Sequence, residues 1–185
     1  MNIIKIRSFN AVRAQLFGYK LTPVDKLILL RSPLHTHTEL QFSDKYRELS
    51  FSSTNADGCK CCRFKHINYT HPERWDTIEI KCDNIREEQM FYKAMEMADV
   101  NDGWNFAEKI IHGPNAIKYD LPGVAMSFIL KWHLWKPDKV KVWCTEAVAT
   151  AMGIKDLSLC IRGLRVDDLH PTLFDTLMRP VERML

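Results

Sequence analysis

HTHTELQFSDKYRELSFSST, residues 35–54, is the stretch on which the reading of the fold turns. Its first eight residues alternate, with His35, His37, Glu39 and Gln41 pointing one way and Thr36, Thr38, Leu40 and Phe42 the other. SDKY (43–46) supplies a polar turn and RELSFSST (47–54) reads as the return strand, so the whole is a β-hairpin. Pairing it symmetrically about Asp44 and Lys45 sets Phe42 opposite Arg47, His37 opposite Ser52 and Glu39 opposite Ser50. His37, Glu39, Ser50 and Ser52 then share one face, either solvated or a site.

Upstream, KLILLR (26–31) is a short continuous apolar run that reads as a buried central strand. Downstream come a turn at 55–58, a strand-like segment at 62–67, a loop through His71 and Pro72, and the alternating strand WDTIEI (75–80). REEQMFYKAMEMA (86–98) has helical spacing and acidic residues in its first turn, the pattern of an amphipathic helix. WNFAEKII (104–111) reads as helical, 113–122 as a loop, and the apolar segment 124–135 as helix or strand. VKVW (140–143) leads into Cys144, and TEAVATAM (145–152) reads as a helix closed by Gly153. The tail offers a helix start at Asp167 or Asp168 and a short helix at 172–178.

These elements describe an α+β chain, and 185 residues suit one domain spanning 1–185. A formal charge of +3, with basic residues dispersed rather than clustered, gives no reason to expect a nucleic-acid partner. No apolar run approaches the roughly 18 residues of a membrane span, since GVAMSFILKWHLW is interrupted by Lys131 and His133. The first twenty residues lack the apolar stretch and small-residue cleavage site of a signal peptide, so the expected location is the cytoplasm. There the six cysteines, Cys59, Cys61, Cys62, Cys82, Cys144 and Cys160, should be reduced.

Cys144 follows an apolar segment and opens a helix, where the dipole and unpaired backbone N–H groups favour the thiolate and could receive an oxyanion. A cysteine among alanines is more often a core thiol, and a strand histidine is usually surface or satisfied core. The carboxylate Glu39 on the His37 face strengthens the functional reading of that histidine.

Taken together, VDKLILLR, THTELQF, SFSS followed by Asp57 and Gly58, RFK (63–65), HPERWD (71–76) and WCTEAVA (143–149) resemble the circularly permuted NlpC-type papain-like amidases of the YiiX and YaeF kind. Phage and prophage members of that group are especially similar, and the resemblance covers residues 24–178. It implies a permuted papain-like fold, a small antiparallel sheet or half-barrel packed against helices, with Cys144 as nucleophile and His37 as general base. It further implies a third polar residue that orients the imidazole. Ser52 holds the expected cross-strand place, and Glu39 competes with it, although residues two apart on a strand lie roughly 6 to 7 Å from each other.

The substrate so implied is a peptide-like amide, as in cell-wall peptides, or the acyl group of a lipid, as in the related lecithin retinol acyltransferase group. A catalytically silent host-interaction protein of the same fold is the third reading. Cys59, Cys61, Cys62 and His66 are residue types that hold zinc, but neighbouring strand residues face opposite ways, so at most three converge. The resembling sequences carry glycine and valine there, and neither a metal nor a cofactor is expected. The five tryptophans lack the patterned platform of a base-stacking surface and read as core.

Overall fold

Strand alternation and helix capping account for most of the elements seen in the computed structural model, which describes residues 1–30, 32–55, 59–67, 69–119, 141–154 and 171–184. The chain opens with β1 (Asn2–Asn10), in which Ile4, Ile6, Ser8 and Asn10 are buried and the intervening residues face the other side. Two short helices follow, α1 (Ala11–Leu16) and α2 (Pro23–Leu29). The hairpin strands are β2 (His35–Gln41) and β3 (Ser50–Thr54), then come β4 (Cys61–Lys65), β5 (Trp75–Cys82) and α3 (Asn84–Ala98). The remainder comprises β6 (Ile110–Ile111), β7 (Lys118–Tyr119), β8 (Lys141–Val142), α4 (Cys144–Ala151) and α5 (Pro171–Met184).

The strands form one sheet in the order β5-β1-β2-β3-β4-β7-β8, with β6 also pairing with β4. All pairings are antiparallel except β7 with β8. One row crosses six strands, Ile78, Ile6, Leu40, Phe51, Phe64 and Ile111, each fully buried. Beneath that face lie Met90, Phe91, Ala94 and Met97 of α3, Ala147, Val148 and Ala151 of α4, and Phe174 of α5. The fold is therefore α+β, an antiparallel sheet packed against helices. No described helix is long and apolar enough to cross a membrane.

Three expectations are corrected. Residues 26–29 belong to α2 rather than to a strand, because Thr22 accepts from the Asp25 N–H, Asp25 accepts from the Thr22 N–H at 2.9 Å, and Pro23 opens the helix. This capping box nucleates a turn that an apolar run alone does not reveal. Residues 104–111 do not form a helix: the Asn101 and Asn105 side chains accept from the Gly103 and Ala107 N–H groups, local bonds that compete with the helical ladder, and β6 follows. The hairpin turn is two residues longer than symmetric pairing assumes, with Arg47 and Glu48 left-handed, so Gln41 pairs with Ser50 and Leu40 with Phe51. An even shift preserves faces, so His37, Glu39, Ser50 and Ser52 remain together.

Helix α5 runs well past the short tail helix expected at 172–178. The expectations at 124–135, at Asp167 or Asp168, at Cys160, at Asp57 and Gly58, and at the end of the 113–122 loop lie outside the described residues.

Candidate active site

The sheet face opposite the core carries a second cross-strand row. Arg7 of β1 pairs with Glu39 of β2, continuing the β2–β3 register places Ser52 next, and Ser52 pairs with Arg63 of β4. Serine is short enough for Arg63 to reach over it. The guanidinium makes a two-pronged contact with the Glu39 carboxylate, Nη1 to Oε2 at 3.1 Å and Nη2 to Oε1 at 2.8 Å. Both side chains are 2 % exposed. Glu39 Oε1 also meets His37 Nε2 at 2.8 Å. Side chains two apart thus reach each other directly, because Glu39 extends toward the ring along the strand, contrary to the separation expected from backbone spacing.

Cys144 is the first residue of α4, directly after Trp143 at the N-cap, and it is 1 % exposed. Its thiol lies close enough to the His37 imidazole for each to shift the other's titration. With Nε2 held by Glu39, Nδ1 is the ring nitrogen left for the sulfur.

A gap in the sheet makes this meeting possible. The β2–β3 ladder is only two pairs long, and beyond it the Thr38 backbone bonds to side chains. The Ser52 hydroxyl donates to the Thr38 carbonyl at 2.6 Å, and the Thr38 backbone is among the groups that lower the Cys144 thiol. The sulfur, on a helix packed under the core face, thereby reaches an imidazole displayed on the other face. The hydrogen bond that Ser52 makes goes to Thr38 rather than to His37, and the residue acts as spacer and clamp.

Electrostatics follow from this geometry. Burial opposes charge on Glu39, but the Arg63 guanidinium, with His37, outweighs it and holds the carboxyl down to about 2. Burial likewise opposes the imidazolium, yet Cys144 and Glu39, acting as acceptors and negative neighbours of the ring, raise His37 to about 9. For Cys144, burial raises the thiol pKa while the His37 hydrogen bond and charge lower it further, for a net downward shift. Each partner thus favours the other's charged form, imidazolium for His37 and thiolate for Cys144. Trp143 makes no side-chain cap at the first turn of α4, and the N–H groups of a helix's first turn are donors of the kind that suits a developing oxyanion.

A cleft of about 480 Å³ opens beside His37 and Glu39. Phe9, Tyr19, Val24, Ile28, Ile67, Trp75 and Tyr119 give it apolar and aromatic walls, and Arg63, Lys65 and Asp25 place charge on the lining. Helix α2 contributes Val24, Asp25 and Ile28 to that wall, and its N-cap Thr22 joins them.

His35 sits outside this constellation. Register shifts between Phe9 and Asn10, and the irregularity turns His35 away from the His37 file toward Asp76, which its Nε2 meets at 2.6 Å. Asp76 also accepts from Asn10 at 3.0 Å and Arg13 at 2.9 Å, a network tying β2 to β1, α1 and β5. Ser50 is bonded to Tyr69 at 2.8 Å. Arg63 is the site residue that sequence reading did not single out. It opens the RFK stretch at 63–65, but nothing in that stretch assigns it a partner.

No protein family, curated protein or solved structure matches the chain.

Proposed function

We propose that the chain is a cysteine hydrolase with a permuted papain-like arrangement, in which the strand bearing the base precedes the helix bearing the nucleophile. The observation that carries this reading is the hydrogen-bonded line His37–Glu39–Arg63 set beside Cys144 at a helix N-terminus, where imidazole and thiol shift each other's titration. The Cys144 thiolate attacks an acyl carbon, and the oxyanion gathers at the backbone N–H groups of the first α4 turn. The His37 imidazolium then protonates the leaving group, and the neutral ring draws a proton from the water that releases the acyl-enzyme. Glu39 holds the ring and favours its charged form, while Arg63 keeps Glu39 ionised. Peptide-like amides are the proposed substrates.

The apolar walls of the cleft favour a second reading, transfer or hydrolysis of an acyl group with an apolar or aromatic moiety. Comparing aryl esters of increasing acyl length with peptide amides separates the two.

Alkylation of Cys144 by a small thiol reagent at pH 6–7, followed by mass spectrometry, tests the pair. The wild-type chain should label at Cys144 much faster than His37→Ala, in which the thiol returns toward its ordinary range. Equal rates would remove the dyad.

A further inference from the structure

Two thiols and an imidazole with no part in the proposed catalysis meet at the start of β4. Cys59 and Cys61 lie two residues apart, so they share a face, and their sulfurs are 2.8 Å apart. One ring nitrogen of His112 joins them, all three candidate ligand atoms lying within 4.8 Å of one another. The thiols are sheltered beside Ala116, whereas His112 is exposed. This is a different set from the one suggested by sequence spacing. Cys62 is turned into the core, and His66 Nε2 faces the Phe106 carbonyl at 2.8 Å.

The two segments are held together by protein alone. The Cys62 N–H donates to the Ile117 carbonyl at 2.7 Å and the Tyr119 N–H to the Lys60 carbonyl at 2.9 Å. The His112 loop is also fastened to the end of α3, where Gly113 and Ile117 donate to the Ala98 and Met97 carbonyls at 2.8 and 2.9 Å. A Cβ on Gly113 would stand 2.0 Å from the Asp99 carbonyl oxygen, so only glycine permits that approach. His112 Nδ1 lies 3.1 Å from the Gly113 carbonyl. An N–H donated there leaves the Nε2 lone pair for a ligand, the orienting contact common among metal-bound histidines.

We propose that Cys59, Cys61 and His112 bind one zinc ion, with water completing a tetrahedral shell on the exposed side. Two sulfurs and an imidazole nitrogen suit zinc and disfavour calcium or magnesium, which take oxygen ligands. Sulfurs bound at about 2.3 Å in a tetrahedron sit roughly 3.8 Å apart, so the thiols spread by about 1 Å on binding. Each coordinating thiol gives up its proton to solvent. The ion joins the start of β4 to the loop after β6 and is independent of the Cys144 site.

Titrating the chelator-stripped, reduced chain with Zn²⁺ by calorimetry, and with Co²⁺ by absorption, tests this. The expected result is one equivalent bound, a thiolate-to-cobalt charge-transfer band and a higher melting temperature with zinc. His112→Ala, an exposed change checked for folding by circular dichroism, should weaken zinc at least tenfold, and Cys61→Ser should abolish the cobalt–thiolate band. Cys144→Ser should retain full binding. No bound equivalent, binding that survives both His112→Ala and Cys61→Ser, or binding lost in Cys144→Ser would overturn the proposal.

Discussion

Glu39 lies between two cations, His37 at 2.8 Å and Arg63 at 2.8 and 3.1 Å, and most of the site's electrostatics pass through it. Its carboxyl is held to about 2 against an ordinary 4.5, so its contribution to stability is present above about pH 4.5 and lost as pH falls toward 2. Melting temperatures of the wild type and Glu39→Gln should therefore differ at neutral pH and converge across that acid window. The same variant removes an anion that favours the imidazolium, so His37 titrates below about 9 and the alkaline limb of the turnover profile moves to lower pH. Arg63→Met leaves the Glu39 carboxylate buried with one partner fewer and should cost about 3–5 kcal/mol in chemical denaturation. His37 and Glu39 were legible because alternation puts them on one polar face of a strand. Arg63 was not, because nothing local distinguishes a strand arginine buried against a carboxylate from one in water.

At the scale of elements, the split between β2 and β3 is the feature that joins the two halves of the site. Ser52→Ala leaves the Thr38 carbonyl without its hydroxyl donor and should cost about 1–3 kcal/mol. Ser52→Val loses the same bond and in addition puts bulk in the path of Arg63. It should destabilise further than alanine, and that extra loss should vanish in an Arg63→Met background, a double-mutant cycle readable from denaturation midpoints. The hairpin, α3 and α4 were readable from period and caps. Helix α2 was misread because its apolar run suits either a strand or a buried helix, and the deciding signal is Thr22 with Asp25 just upstream. The expected helix at 104–111 failed for the opposite reason: its spacing was suitable, but the Asn101 and Asn105 side chains and pairing with β4 drew the backbone elsewhere.

For the whole molecule, β1 has the greatest leverage, since it lies between β5 and β2 and supplies Ile4 and Ile6 to the core. Deleting residues 1–10 should abolish the cooperative melting transition, because it removes an interior strand along with both of its ladders. Phe64→Ala should cost about 3–5 kcal/mol, as its ring packs against Phe42, Phe51, Phe91 and Phe106 with centroids 5.2–6.2 Å apart. The amino-acid order by itself determined which faces of the hairpin and of α3 are polar or apolar, and that Cys144 opens a helix, because periodicity and chain position are local properties. Tertiary structure alone decided that Arg63 meets Glu39, that Ser52 clamps Thr38, that His35 turns to Asp76 and that His112 joins Cys59 and Cys61. Those contacts depend on strand order and register, which are settled by burial of the common core rather than by any segment's own sequence.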